Sequence, residues 1–370
     1  MGDTHSILLI ATGGTIAGHV AADKQDEQMV RTADQFSLLV GPTVSYLNRK
    51  HNLDIQIDTS EMFNLDSSDI LPTHWVKLAG LIKEKYDEYD SFIITHGTNT
   101  LGYTSSALSF ALANPNKPII LTGSQVSASL PGSDALTNLE NAMRVAVWRR
   151  ENNPFKGVMA VFGSRIITGA RVTKDSTFDY DAFTSFSSGS LGRMGRIINI
   201  NERNLEKHLS YLRTHVYSEA RRAADLRCEN DFDMRIASLT EFPGMSSEFF
   251  ASLVEHNDVR GFILRSFGSG DPCTGHRVAF EYLKRKQIPL VVTTQAPNGN
   301  SNFQVNESGK MLRDEGLAIP SYDMSTESQT TKLAWLLAKK NKGELNYSQL
   351  CAEMVHDLRG EINVMWEIGI

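Results

Sequence analysis

Two threonines stand in glycine-containing turns that each follow an apolar, strand-like run. The first run, Ile7-Leu8-Leu9-Ile10-Ala11, leads into Thr12-Gly13-Gly14-Thr15-Ile16-Ala17-Gly18. The second, Ser91-Phe92-Ile93-Ile94-Thr95, leads into His96-Gly97-Thr98-Asn99-Thr100. A hydroxyl on such a turn can act as a nucleophile when a base takes its proton. The glycines let the backbone turn sharply and bring its N–H groups close to a ligand. Amide hydrolysis uses these parts: a nucleophile, backbone donors for the oxyanion, and a proton donor for the departing amine. The first turn is neither G-x-x-x-x-G-K-[ST] nor G-x-G-x-x-G, which argues against nucleotide binding. Among the ten histidines there is no H-E-x-x-H and no obvious metal-ligand spacing, so neither a metal nor another cofactor is expected.

The elements that must position these turns follow from the hydrophobic pattern. Apolar strand-like runs alternate with helical ones, which points to an α/β fold with a parallel sheet. Ile7–Ala11, Ser91–Thr95, Pro118–Leu121 and Val158–Phe162 read as strands of an N-terminal domain. His74–Tyr86, Tyr103–Ala113 and Leu136–Arg150 carry apolar residues at helical spacing, the last with Leu139, Met143 and Val147 on one face. In an open parallel sheet, reactive groups gather at the carboxyl ends of strands, so both threonine turns could share one crevice. Residues 1–200 are expected to form this domain and the more polar segment 201–232 a connector with some helix. Residues 233–370 are expected to form a smaller α/β domain, with Gly261–Arg265 and Pro289–Thr293 as strands and Thr330–Lys340 as a helix packed by Leu333, Leu336 and Leu337.

The motifs together resemble the bacterial-type L-asparaginase family, and its type I, cytoplasmic branch more than the secreted one. The resemblance rests on Thr12-Gly13-Gly14-Thr15-Ile16, Leu65-Asp66-Ser67-Ser68-Asp69 and His96-Gly97-Thr98-Asn99-Thr100. It continues through Leu121-Thr122-Gly123-Ser124-Gln125, Val172-Thr173-Lys174, the Gly268-Ser269-Gly270 turn and Asp323-Met324-Ser325-Thr326-Glu327. These segments come in order over nearly the whole chain. The resemblance implies cleavage of the side-chain amide of L-asparagine to aspartate and ammonia. Thr15 would be the nucleophile, and Thr98 with Lys174 a relay that moves protons or activates water, with Gly14 and Gly97 lining the site. Asp66, Ser67 and Ser68 would hold the amino-acid end of the substrate, while His96 has a packing role. The family also implies a homodimer or homotetramer, with Glu327 either reaching a neighbouring subunit's substrate or simply sitting in the first turn of its helix.

Three positions depart from the family pattern. Asn99 stands where the family has an aspartate that binds the substrate's α-ammonium. Its amide keeps the shape, removes the charge and adds donors. Loss of one partner from a buried charge pair costs about 2–5 kcal/mol, and loss of a nearby carboxylate should also favour the neutral amine of Lys174. Asn99 therefore fits an impaired or trapped site, an amide substrate without a free α-ammonium, or a binding protein without turnover. The segment from His19 to Val30 lacks the tyrosine expected on the family's lid; the next tyrosine is Tyr46. Asp271 follows the Gly268-Ser269-Gly270 turn where relatives often have asparagine. It could return a carboxylate to the substrate ammonium or be a plain turn aspartate. The asparaginase-like component of an archaeal glutamyl-tRNA amidotransferase is a further relative; it carries an extra N-terminal domain, whereas this sequence begins on the first motif.

Composition narrows the partners. The 370 residues are 41% hydrophobic and 22% charged, ordinary for a soluble globular protein, and the net charge is −6. That charge argues against nucleic acid or anionic membrane as the main partner; a small-molecule amide is the partner that the resemblance implies. No apolar run approaches the roughly 20 residues of a membrane span. The N-terminus lacks the basic region of a signal peptide. Three widely spaced cysteines without a C-x-x-C pattern fit reduced thiols in the cytoplasm.

Overall fold

The computed structural model describes residues 4–14, 18–20, 28–30, 33–149, 152–214, 226–297, 299–304 and 306–363. Its contacts divide into two units, Met1–Asn230 and Asp231–Ile370. In the first unit, β1 (Thr4–Gly13), β2 (Asp54–Leu65), β3 (Ser91–Thr95), β4 (Pro118–Thr122) and β5 (Gly157–Phe162) run parallel in the spatial order 2-1-3-4-5. β6 (Arg165–Thr168) turns back antiparallel to β5, and Gly192–Arg193 and Asn199–Ile200 complete an eight-stranded sheet. From β1 the chain goes to β2 on one side, then crosses back to lay β3 on the other. The β1/β3 boundary is therefore a topological switch point, where the crevice of a doubly wound sheet opens at the carboxyl ends.

The strands are near-continuous apolar runs because both sheet faces are covered. Ile7, Leu9, Ile93, Ile120 and Met159 pack with Val40 and Leu47 of α1 (Ala33–His51) and Leu139 and Met143 of α4 (Ala135–Ala146). The alternate residues Leu8, Ile10, Phe92, Ile94 and Leu121 are equally buried. Between these helices come α2 (Pro72–Lys85) and α3 (Leu101–Ala111).

Several boundaries differ from the pattern-based ones. α3 stops at Ala111, two residues early, because Leu112–Ala113 pairs with Arg227–Cys228 in a short antiparallel ladder. α4 ends at Ala146, short of Arg150, and Val147 is its C-cap. In the segment expected to connect the domains, α5 (Glu202–Thr214) buries Leu205 and His208, and His208 reaches the Lys156 carbonyl at 2.7 Å.

The second unit has a four-stranded parallel sheet, β7 (Ile236–Thr240), β8 (Gly261–Ser266), β9 (Leu290–Thr294) and β10 (Ile319–Pro320), in sequential order. Its core packs Phe262, Leu264 and Val292 against Phe250 of α6 (Glu248–Asn257), Phe280 and Leu283 of α7 (Arg277–Arg285) and Leu312 of α8 (Glu307–Asp314). The last expected helix is longer than its apolar pattern: α9 runs Thr326–Asn341, because the Ser325 side chain accepts the Ser328 N–H and caps an earlier start. Leu333, Leu336 and Leu337 are buried as expected. α10 (Tyr347–Val355) follows, and the tail beyond it brings Glu361 to Lys332 of α9 in a fully buried ion pair.

Candidate active site

Ala11 at the end of β1 lies level with Thr95 at the end of β3, so the two threonine turns leave the sheet side by side. Thr12 locks them together: its hydroxyl donates to the Thr95 carbonyl at 2.8 Å. The β1/β2 register shifts between Ala11 and Gly13, which bends the strand end at the crevice. Gly13 and Gly14 both have positive φ, +93° and +78°. A Cβ on Gly13 would lie 2.5 Å from Leu65 N, and one on Gly14 would lie 2.5 Å from Gly97 Cα. A Cβ on Gly97 would in turn lie 2.6 Å from Ser67 Oγ. Three loops thus meet backbone to backbone through three glycines. This close approach is the physical reason for glycine directly before Thr15 and before Thr98.

Gly97→Ala is expected to push Ser67 aside and lower kcat/KM by about tenfold, since displacements of this size degrade a positioned site. Steady-state kinetics beside an unchanged melting curve would check it; an unchanged kcat/KM would mean that Ser67 is not needed where it stands.

Thr98 and Lys174, 76 positions apart, are brought together. Lys174 ends a short strand, Val172–Lys174, paired antiparallel with Phe183–Ser185. Its Nζ donates to Thr98 Oγ1 at 2.8 Å. Thr98 is 9% exposed, and Lys174 is half-buried. Burial lowers the Lys174 pKa below its ordinary value, and among the described residues no neighbouring carboxylate opposes that shift. The lysine is thereby moved toward the neutral amine, the form that can accept the Thr98 proton.

His96 is fully buried. Its Nδ1 is 2.8 Å from the Gly97 carbonyl and its Nε2 is 2.9 Å from Thr104 Oγ1. Trp75 Nε1 donates to the same hydroxyl at 3.0 Å, so Thr104 gives its proton to Nε2 and His96 carries its own on Nδ1. Burial pushes the imidazole pKa down to about 4. A neutral ring with both nitrogens engaged holds the second turn in shape and has no base to offer. Neither Trp75 nor Thr104, the latter within a segment that matches the family, was expected beside His96, because nothing local links them to position 96.

On the third loop, Ser67 is buried. Its Oγ accepts the Asn99 N–H at 3.2 Å, leaving the serine O–H to donate elsewhere, and its carbonyl accepts the Thr100 hydroxyl at 2.6 Å. Asp66 accepts the Ser68 N–H at 2.7 Å and caps a turn. That turn is a three-residue 3-10 segment, Ser67–Asp69, too short to lend a helix dipole to a bound carboxylate. Asn99 is exposed, and its Nδ2 donates to Ser68 Oγ at 3.0 Å. Hydrogen bonds from the Ser68 N–H and hydroxyl, helped by the Asn99 amide, hold the Asp66 carboxyl below its usual value against a smaller effect of burial.

Thr15 lies outside the described residues, as do positions 21–27 of the segment expected to form a lid; Gly18–Val20 and Gln28–Val30 pair antiparallel. Asp271 and Glu327 belong to the second unit, Asp271 on the loop after β8 and Glu327 at the start of α9. The Asp271 carboxylate accepts from Ser269 Oγ at 3.0 Å, Ser308 Oγ at 3.3 Å and the Asn306 amide, contacts that tie the glycine turn to the start of α8. Glu327 is buried in the first turn of α9. Among the described residues no group of three or more His, Cys, Asp and Glu side chains could hold a metal ion, and no helix is long and apolar enough to cross a membrane. None of the three cysteines, all among the described residues, forms a disulfide.

A flavodoxin-ordered sheet with a hydroxyl–amine pair beside its switch point, followed by a smaller parallel α/β unit, defines a two-unit α/β protein. The chain belongs to the asparaginase family of amidohydrolases: residues 6–206 match the model of the asparaginase N-terminal domain and residues 235–345 that of the glutaminase/asparaginase C-terminal domain. It is 32% identical over 333 residues to the L-asparaginase of Thermococcus kodakarensis, covering 90% of this chain and 92% of that one. The solved structure of the Thermococcus enzyme superposes with a TM-score of 0.80 at 29% identity, over 97% of this chain and 99% of that one. L-asparaginase I of Vibrio cholerae gives a TM-score of 0.79 at 29% identity, over 98% and 100%. A component of the glutamyl-tRNA(Gln) amidotransferase of Saccharolobus solfataricus is 28% identical over 374 residues, 98% of this chain and 77% of that protein.

Proposed function

We propose that the chain hydrolyses the side-chain amide of L-asparagine to aspartate and ammonia, with Thr15 as nucleophile. The observation that carries this is the 2.8 Å contact of Lys174 Nζ with Thr98 Oγ1 at the end of the strand beside the one leading to Thr15. Neutral Lys174 accepts the Thr98 proton, and Thr98 accepts that of the attacking hydroxyl. Thr15 Oγ bonds to the amide carbon, the C–N bond breaks, and the nitrogen leaves as ammonia with the relayed proton. Water then attacks the resulting ester through the same relay and releases aspartate. The Ser67 O–H is a donor for the substrate's α-carboxylate. Cysteines outside any disulfide support a cytoplasmic setting, and the family resemblance supports a homodimer or homotetramer.

Ammonia release from L-asparagine, L-glutamine and succinamic acid tests this. L-asparagine is expected to be the fastest of the three. Turnover of succinamic acid alone would assign the site to amides without an α-ammonium, and binding of L-aspartate without any ammonia release would make the chain a binding protein. The amidotransferase relative suggests a second reading, in which ammonia is passed to glutamyl-tRNA. The net charge of −6 favours the small-molecule reaction.

A further inference from the structure

We propose that Asp66 supplies the negative charge that receives the substrate's ammonium group, with Asn99 as a neutral donor that holds Asp66 and Ser68 in place. This rests on the amidohydrolase reading above. The side chains at 66, 68 and 99 converge from two loops. Asn99 Nδ2 gives one hydrogen to Ser68 Oγ at 3.0 Å, and the Asn99 backbone N–H is fixed by Ser67 Oγ at 3.2 Å. The Asn99 amide also supports the ionised Asp66 carboxyl. The Asp66 carboxylate is exposed and takes the Ser68 N–H on Oδ1 at 2.7 Å. A carboxylate has about four lone-pair sites, so beside the Ser68 N–H, the Ser68 hydroxyl and the Asn99 amide it keeps accepting capacity for a cation. Beside it, the Ser67 hydroxyl keeps a proton for an anion. The cluster thus offers an acceptor for an ammonium and a donor for a carboxylate on adjacent residues, the two charged groups of a free amino acid.

The hydrogen-bond arrangement also fixes how much charge the cluster holds. Aspartate at 99 would have no proton to give Ser68 Oγ or Asp66. It would bring a second carboxylate against the first, and like charges sharing a site push one of them toward its protonated form. In this chain Asp66 therefore carries the negative charge of the pair and Asn99 none. If Asp66 were only the cap of its short turn, asparagine would serve as well, because its side-chain oxygen accepts the same N–H.

The test compares ammonia release from L-asparagine and from succinamic acid, which has the same amide and carboxylate but no ammonium. Asp66→Asn is expected to raise KM for L-asparagine about tenfold, the scale of one hydrogen bond to a charged group, and to leave KM for succinamic acid unchanged. Asp66→Asn combined with Asn99→Asp is expected to recover most of the loss. An equal rise for both amides, no rise for either, or a double variant no better than the single one would overturn the assignment. If the unaltered chain releases ammonia from neither amide, the amidohydrolase reading fails by itself. Calorimetry then decides the role of Asp66: Asp66→Asn must weaken L-aspartate and spare succinate, and equal weakening of both would overturn it.

Discussion

Lys174→Met is expected to lower kcat for L-asparagine by about 10²–10⁴-fold, the contribution of a positioned acid–base group, with KM little changed. Methionine keeps the length and apolar stem of the side chain, so the strand pairing of Val172–Lys174 with Phe183–Ser185 should persist. What it removes is the nitrogen 2.8 Å from Thr98 Oγ1. Because burial lowers the lysine pKa, with no carboxylate among the described residues opposing it, the neutral amine forms at lower pH than for a free lysine. In the unaltered chain kcat should rise with pH through that lowered value and level off above it. In Lys174→Met this limb should disappear. A variant that keeps the limb would place the titrating group elsewhere, and one that keeps kcat would remove Lys174 from the reaction.

Lys332→Met is expected to destabilise the second unit by about 3–5 kcal/mol, the usual consequence of leaving one member of a buried ion pair alone. Lys332 and Glu361 are both 0% exposed and 2.6 Å apart, and Lys332 Nζ also donates to the Met354 and His356 carbonyls. Glu361 further accepts the Leu358 and Arg359 N–H groups, so the pair fastens the tail after α10 to α9. Burial alone would push the Glu361 carboxyl up. The Lys332 charge and hydrogen bond, with the Leu358 N–H, outweigh it and hold the carboxyl well below its ordinary 4.5. A depressed folded-state value stabilises the fold above the unfolded value and ceases to do so as pH falls through the folded one. Urea unfolding should therefore show this contribution in full above about pH 4.5 and its loss in more acid solution, and Glu361→Gln should flatten that dependence. Lys332→Met combined with Glu361→Leu should regain much of the loss, since packed apolar replacements of buried ion pairs are often near neutral. A Lys332→Met protein as stable as the original would show that the carbonyl contacts and the pair contribute nothing net.

Much of the first unit was legible because its strands are buried on both faces. β3, β4 and β5 read as unbroken apolar runs, and the glycine turns after β1 and β3 announced themselves by residue type. β2 was not legible: only alternate residues such as Ile55 and Ile57 are apolar, and at the sheet edge Thr4 to Ala11 supply its pairing from 50 positions away. α1 was hidden by Gly41-Pro42, ordinarily a helix break. The structure carries the helix through Pro42, with Val40 and Leu47 buried in the core shared with the sheet. The helix ends at Ala111 and Ala146 were set by a distant strand partner and a turn, which no local pattern contains.

Residue types along the chain were enough to say which chemistry was available. Threonine turns with glycine before each reactive hydroxyl, a serine pair flanked by aspartates and a single lysine motif are local facts, and they sufficed to place the chain in a family. Which groups meet was settled by folding. Strand order put the turns of β1 and β3 side by side, a ladder 76 positions downstream brought Lys174 to Thr98, and loop contacts turned Asn99 toward Ser68 and Asp66. The same packing made His96 a neutral brace, through Trp75 and Thr104. The difference is one of range. Backbone preference and hydrophobic period act over a few residues, whereas a proton relay or a shifted pKa depends on distances of about 3 Å between groups that only chain packing brings together.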